Sequence, residues 1–283
     1  MSRGRIKPED GAATRSDQST GATAAERPPA DAQPGRLRPG ELRVVGTTVA
    51  REVELLLDRV AEAAGGRAPR ILQVGSRANI ADRNERNWRA LCTRRFAERL
   101  AFTGIDLVAG PNVDAVLDIC CDSRALADAL GTDPFDLVIC VHVLEHVKNP
   151  NRAARNIQSV MRSGGHAYLA TPWSQAFHAA PDDYWRFSIR GLVQLFGGLE
   201  MMSAFYSGGD VGLDVAYRVE RDGKPELESR GSAVEQGLFQ LVLDHQDNRA
   251  ILARQATERL PVSRTYLPTL FVNVVGRRPE PQP

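Results

Sequence analysis

Only four cysteines occur in the 283-residue chain (Cys92, Cys120, Cys121 and Cys140), and none forms a Cys-x-x-Cys pair. That usage excludes a disulfide framework and argues against structural zinc. An excess of one charge is missing too: 36 Lys and Arg face 35 Asp and Glu, for a formal net charge of +1. A balanced chain carries no electrostatic footprint for DNA or RNA, so no nucleic-acid partner is expected. No apolar run approaches the ~18–20 residues of a membrane span, and the first residues lack the apolar stretch of a signal peptide. No membrane partner is expected, and the expected compartment is the cytoplasm. What remains is 42% apolar and 25% charged residues, the composition of a soluble globular protein.

Residues 1–40 hold five prolines and, of the larger apolar residues, only Met1, Ile6 and Leu37. Such a segment cannot offset its ordering entropy by burial and reads as a disordered tail. Residues 41–283 read as one domain of alternating helix-like and strand-like segments. Helical spacing covers 48–64 (Val49, Val53, Leu56, Leu57, Val60), 85–99, 123–130, 189–196 and a segment opened by Asn149-Pro150 that runs through Met161. Strand-like runs are RILQV before Gly75, AFTGIDLV at 101–108, VDAVLDI at 113–119, FDLVIC at 135–140, HAYLAT at 166–171, 200–206 and LPTLFVNVVG at 267–276. The alternation predicts an α/β fold with a doubly wound, mostly parallel sheet of seven strands. Residues 207–266 interrupt the last two strands and read as a lid or interface insertion, helical near 233–259, through which a homo-oligomer would form.

In an open parallel sheet, ligands sit beyond the carboxyl ends of the strands. The residues just after each strand are therefore the candidates. Gly75, Ser76 and Arg77 follow the first, Asp106 and Leu107 the second, and Asp118 and Ile119 the third. Val141, His142, Glu145 and His146 follow the fourth. A glycine turn followed by a strand-end acid suits NAD, S-adenosylmethionine or a nucleotide, the acid accepting hydrogen bonds from a ribose diol. The dinucleotide fingerprint G-x-G-x-x-G is absent, since the glycine after Gly75 is Gly104, and no phosphate-binding P-loop occurs. A ribose-binding acid without a phosphate cradle points to a nucleoside cofactor.

ILQVGSR, TGIDLVAGPNVDAVLDI, FDLVICVHVLEHVKNP, SGGHAYLATP and HAAPDDYWRFSIRGL follow one another in the chain. In that order they resemble a class I S-adenosylmethionine-dependent methyltransferase, closest to bacterial type 11-like members with LEHV and P-x-D-Y-W-R-F motifs. The likeness spans about residues 68–198 plus the final strand. It departs at Gln73 and Arg77, where many members carry an acid and a glycine, and in the 30 residues that separate Gly75 from Asp106.

The resemblance implies S-adenosyl-L-methionine as cofactor, bound by Gly75, Ser76, Arg77, Asp106, Leu107, Asp118, Ile119, Val141 and His142. Leu107 and Ile119 would flank the adenine, and arginines of the loop after Gly75 would pair with the methionine carboxylate. His146, His178 and Tyr184 are the expected catalytic residues at the acceptor mouth, since an oxygen or nitrogen nucleophile has to lose a proton. If the segment after Cys140 is helical, His142, Glu145 and His146 share a face, which with His178 would suit a metal. Leu-Glu-His is widespread in metal-independent relatives, and no metal is assigned. The expected activity is methyl transfer to an oxygen or nitrogen atom of a small molecule, a sugar or a specialised metabolite. The alternative is a non-catalytic methyltransferase-like protein that binds a ligand or partner.

Overall fold

Every residue from Phe135 to Cys140 is buried, as a strand at the centre of a parallel sheet requires. In the computed structural model this strand, β5 (Phe135–Val141), has β2 (Arg70–Val74) on one side and β6 (Met161–Ser174) on the other, both parallel to it. The structure describes residues 42–47, 49–77, 87–97, 99–175, 177–178, 181–208, 216–221, 224–225 and 269–281. The tail expected for 1–40 and the helix expected near 233–259 lie outside them.

The remaining strands are β1 (Leu42–Thr47), β3 (Ala101–Asp106), β4 (Ala115–Val116), β7 (Glu200–Gly208), β8 (Ala216–Arg221), β9 (Lys224–Pro225) and β10 (Leu270–Arg277). Their order is β1-β8-β7-β10-β6-β5-β2-β3-β4, with β9 on β8. The seven strands from β7 to β4 form the expected doubly wound sheet. Its one antiparallel member is β10, wedged between β6 and β7. The sheet also extends beyond that seven, because β8 pairs with β7 and then with β1. Neither β1 nor β8 is read from the sequence, since LRVVGT and AYRVER offer no continuous apolar run. The described part of the 207–266 insertion is thus strand. The rest of the expected lid, and the interface assigned to it, lie outside the described residues.

From Leu137 to Cys140 alternate residues of β5 enter opposite cores. Leu137 and Ile139 pack with α1 (Val49–Ala64) and α2 (Trp88–Phe96), whereas Val138 and Cys140 pack with α3 (Ser123–Leu130), α4 (Pro150–Val160) and α5 (Ile189–Leu195), a core that Phe135 joins across a register shift. Helix α1 buries Val53, Leu56, Leu57, Val60 and Ala64 and stops at Gly65, φ +57°. Helix α4 starts where Asn149 accepts from the Arg152 amide at 3.0 Å, with Pro150 in the first turn. None of the described helices is long and apolar enough to cross a membrane. The run expected as a strand over 113–119 pairs only at Ala115 and Val116, because β4 is an edge with one neighbour.

Asp136 holds the end of the sheet away from the crevice. Its carboxylate, 3% exposed, accepts from Arg67 through two nitrogens, from Arg162 Nε at 2.9 Å and from the Arg70 amide at 2.8 Å. Burial pushes this carboxyl up, but the Arg67 and Arg70 hydrogen bonds and the two guanidinium charges outweigh that and hold it below its usual value. The stability it contributes is present above the unfolded-state value of about 3.9 and is lost as the pH falls through the folded one. Asp136→Ala is expected to lower the unfolding free energy at neutral pH by about 3 kcal/mol in denaturant titration, the low end for a broken buried pair because both guanidiniums can turn to water. The gap to the wild type should shrink as the solution is acidified into that range, and a pH-independent gap would contradict the assignment.

Candidate active site

The chain leaves β2 toward β3 and β4, then returns to β5 on the other side of β2. The crevice at the carboxyl ends of β2 and β5 is therefore the switch point of the sheet. Gly75 sits there with φ +73°, and its amide and that of Ser76 donate to the Ile105 carbonyl at 2.9 and 3.0 Å. A Cβ on Gly75 would run into the side chain of Val143 and approach the Val141 carbonyl at 3.9 Å. Only glycine keeps this backbone open to a ligand. Ser76 is buried, and its Oγ has no hydrogen-bond partner among the described residues.

Asp106, at the end of β3, is half-buried and rigidly held. The Arg77 amide donates to one carboxylate oxygen and the Val108 amide to the other, each at 3.1 Å. A carboxylate has about four acceptor positions, so capacity remains for a diol. Leu107 beside it is 66% exposed, an apolar surface bare to solvent at the rim. Asp118 turns one oxygen back onto its own loop, accepting from the Cys120 amide at 2.7 Å, while Ile119 is buried. Asn156 of α4 donates to the carbonyls of Ile119 and Cys121 at 2.6 and 2.9 Å, a support for this loop that the sequence reading missed. The loop arginines expected to meet a carboxylate (Arg83, Arg86) lie outside the described residues; Arg77 is described and exposed. Burial first, then the Asp118 charge, raises the thiols of Cys120 and Cys121, which keeps them protonated and suits packing rather than redox work.

On the β5 side the segment after Val141 is a tight turn, not a helix. His142 has φ +56°, its ring meets Phe271 of β10 edge-on at 4.4 Å, and the His146 amide donates to the Val143 carbonyl at 2.9 Å. The turn still converges the expected cluster. Glu145, 0% exposed, has Oε1 3.4 Å from His142 Nδ1 and 3.8 Å from His146 Nε2. Thr171 donates to its Oε2 at 3.2 Å, but Oε1 has no hydrogen-bond partner among the described residues.

The loop after β6 folds over this turn. The amides of Tyr184 and Trp185 donate to the Glu145 carbonyl at 2.8 and 3.2 Å, and the Trp185 indole donates to the Val147 carbonyl at 2.8 Å. His178 arrives with its ring edge-on to His146, centroids 4.9 Å apart. Its Nδ1 lies 3.3 Å from Asp183, whose buried carboxylate takes a bidentate pair from Arg186 at 2.6 and 2.8 Å. The Arg186 hydrogen bond holds the Asp183 carboxyl well below the usual range, so it is ionised at neutral pH. Tyr184 is 41% exposed, and its hydroxyl donates to Asp182, which raises the phenol. Tyr184 thus keeps its proton and offers a hydroxyl, not a base. Phe187 packs on the core, whereas Trp185 stays partly exposed.

Residues 85–205 match a family described as a methyltransferase domain, a stretch that holds Asp106, Asp118, Glu145, the three site histidines and Tyr184 but not Gly75. The match and the doubly wound sheet are those of a methyltransferase domain. The glycine turn that a Cβ would fill, the Ser76 hydroxyl without a hydrogen-bond partner among the described residues and the half-open Asp106 carboxylate fit the adenosyl ligand that the sequence leads one to expect.

Among solved structures the chain is similar to the N-methyltransferase NodS of Bradyrhizobium japonicum in complex with S-adenosylhomocysteine. The identity is 18%, covering 62% of this chain and 87% of that one, with a TM-score of 0.38. It is also similar to the 1,6-didemethyltoxoflavin-N1-methyltransferase of Burkholderia thailandensis with its namesake and S-adenosylhomocysteine bound (16% identity, 62% and 83% covered, TM-score 0.40). A third is a putative sarcosine dimethylglycine methyltransferase of Galdieria sulphuraria (11% identity, 82% and 86% covered, TM-score 0.46). No curated protein matches the sequence.

Gly75→Ala tests the crevice. The positive φ alone predicts a loss of more than about 1 kcal/mol, and the contact with Val143 displaces the turn. A lower melting temperature together with weakened S-adenosylhomocysteine binding is expected in a thermal-shift titration; unchanged binding would place the ligand elsewhere.

Proposed function

We propose that this protein moves a methyl group to an oxygen or nitrogen atom of a small acceptor, of the sugar or specialised-metabolite kind. The observation that carries the reading is the division of one crevice. An anchored carboxylate, Asp106, stands at the end of β3, and a pair of histidines, His146 and His178, meets beyond the end of β5. Asp106 is assigned to the ribose hydroxyls, Leu107 and Ile119 to the adenine, and Gly75, Ser76 and Arg77 to the amino-acid end. Asp118, Val141 and His142 are assigned to the same cofactor site. The even balance of 36 basic and 35 acidic residues favours a small acceptor over a nucleic acid.

S-adenosylmethionine, when bound, supplies a methyl carbon already activated for in-line displacement. The chain's own residues position the acceptor, exclude water and take up its proton. Asp183, kept ionised by Arg186, orients the His178 ring through Nδ1. His146 is oriented likewise, its Nδ1 2.6 Å from the Asp182 carbonyl. Tyr184, pinned by Asp182, donates a hydrogen bond at the mouth.

Asp106→Ala is expected to weaken S-adenosylhomocysteine binding by about 10–100-fold in calorimetry, the worth of a hydrogen bond to a charged group; undiminished affinity would remove Asp106 from the site. The double variant His146→Ala/His178→Ala should keep that affinity yet lose ~10²–10⁴ in turnover. Turnover is read as S-adenosylhomocysteine release with an acceptor found by screening sugars and aromatic metabolites, and full activity of the double variant would refute the proton-handling role.

A further inference from the structure

Among the described residues, Oε1 of Glu145 is a buried carboxylate oxygen that lacks a hydrogen bond. Its side chain is wholly buried, and two imidazoles face it. A buried carboxylate oxygen without a partner forfeits its solvation, which is expensive unless a cation or donor replaces the water. Glu145, His146 and His178 each offer one ligand atom, and these three atoms lie within 4.8 Å of one another. His146 Nε2 is 3.8 Å from Oε1; donors of a tetrahedral site with bonds of about 2.1 Å stand about 3.4 Å apart.

The surroundings are those of ligands held for a cation. Metal-bound imidazoles donate their other ring N–H to a carbonyl or carboxylate. Here His146 Nδ1 lies 2.6 Å from the Asp182 carbonyl and His178 Nδ1 3.3 Å from Asp183, itself fixed by Arg186. The second oxygen of Glu145 is held by Thr171 at 3.2 Å, which fixes the carboxylate beside the His146 ring.

We propose that Glu145, His146 and His178 bind one divalent transition-metal cation at the acceptor side of the crevice. Two nitrogen donors and one carboxylate select zinc, cobalt or ferrous iron over magnesium or calcium, which prefer all-oxygen sites. Three protein ligands leave a coordination position open toward the mouth, where Phe177 is 60% exposed and Tyr184 presents its hydroxyl. That position suits an oxygen of the acceptor; with the cation bound, its charge acidifies that oxygen, and the two imidazoles act as ligands and do not themselves take the proton. The inference takes from the proposed function only the placement of the acceptor, and cation binding is measured without acceptor or methyl transfer.

The test uses untagged full-length protein, stripped with a chelator and titrated with Co²⁺ in the absence of acceptor. A saturable visible band at one equivalent, displaced by Zn²⁺, is expected. His178→Ala and Glu145→Gln should abolish it, and Asp183→Asn should weaken binding ~10–100-fold, as loss of a supporting partner does. S-adenosylhomocysteine affinity is measured on every variant to confirm folding; His178→Ala, on an outer loop, keeps the test decisive if Glu145→Gln does not fold. Absence of the band in the wild type, or its persistence in His178→Ala, overturns the cation site. If S-adenosylhomocysteine still binds and the double histidine variant still loses turnover, methyl transfer stands without it. Failure of S-adenosylhomocysteine binding in the wild type would instead sink the functional reading while leaving a Co²⁺ band to speak for the site.

Discussion

Glu145 organises the acceptor side of the rim. Its carbonyl takes the amides of Tyr184 and Trp185, its Oε2 the hydroxyl of Thr171, and its Oε1 the company of two histidines. Through these contacts one residue joins the turn after β5, strand β6 and the loop that carries His178. Breaking a buried carboxylate out of such a network costs more than any one bond in it, because the remaining partners lose theirs together. The loop over the crevice is thus tied to the sheet by backbone donors, not by apolar packing alone.

The two sides of the crevice are built by different means. On the side of β2 and β3 backbone does most of the work: Gly75 clears space, the Gly75 and Ser76 amides bind the β3 carbonyl, and two amides hold Asp106. On the β5 side, side chains from distant parts of the chain converge, the His146 and His178 rings each oriented by an oxygen behind them.

Away from the crevice the sheet is closed by long-range ties. Glu52 of α1 is buried and takes Arg218 of β8 and the Ser203 hydroxyl of β7, which joins the first helix to the strands that follow the core. Strand β1 then pairs with β8 from Leu42↔Arg221 to Thr47↔Ala216. Asp136 does the same at the opposite end of β5. Each pairs a buried acid with arginines that keep contact with water, so the charges are neutralised without full desolvation of both partners.

Local pattern was enough for the central strands and for the start of α4. Burial on both faces writes FDLVIC as an unbroken apolar run, and Asn149-Pro150 announces a helix start from its own chemistry. Strands β1 and β8 escaped because an edge ribbon is recognised by its partner and not by its residues; LRVVGT and AYRVER acquire meaning only across the register that joins them. His142, Glu145 and His146 were visible as a group, but a helix was the wrong reason for it. What gathers them is a positive-φ turn whose carbonyls are tied down by the loop at 181–187. The sequence alone determined which chemical groups reach the rim, since strand ends follow from local hydrophobic pattern. Only the tertiary structure decided which of them face one another, because that depends on chain segments that are far apart until the sheet forms.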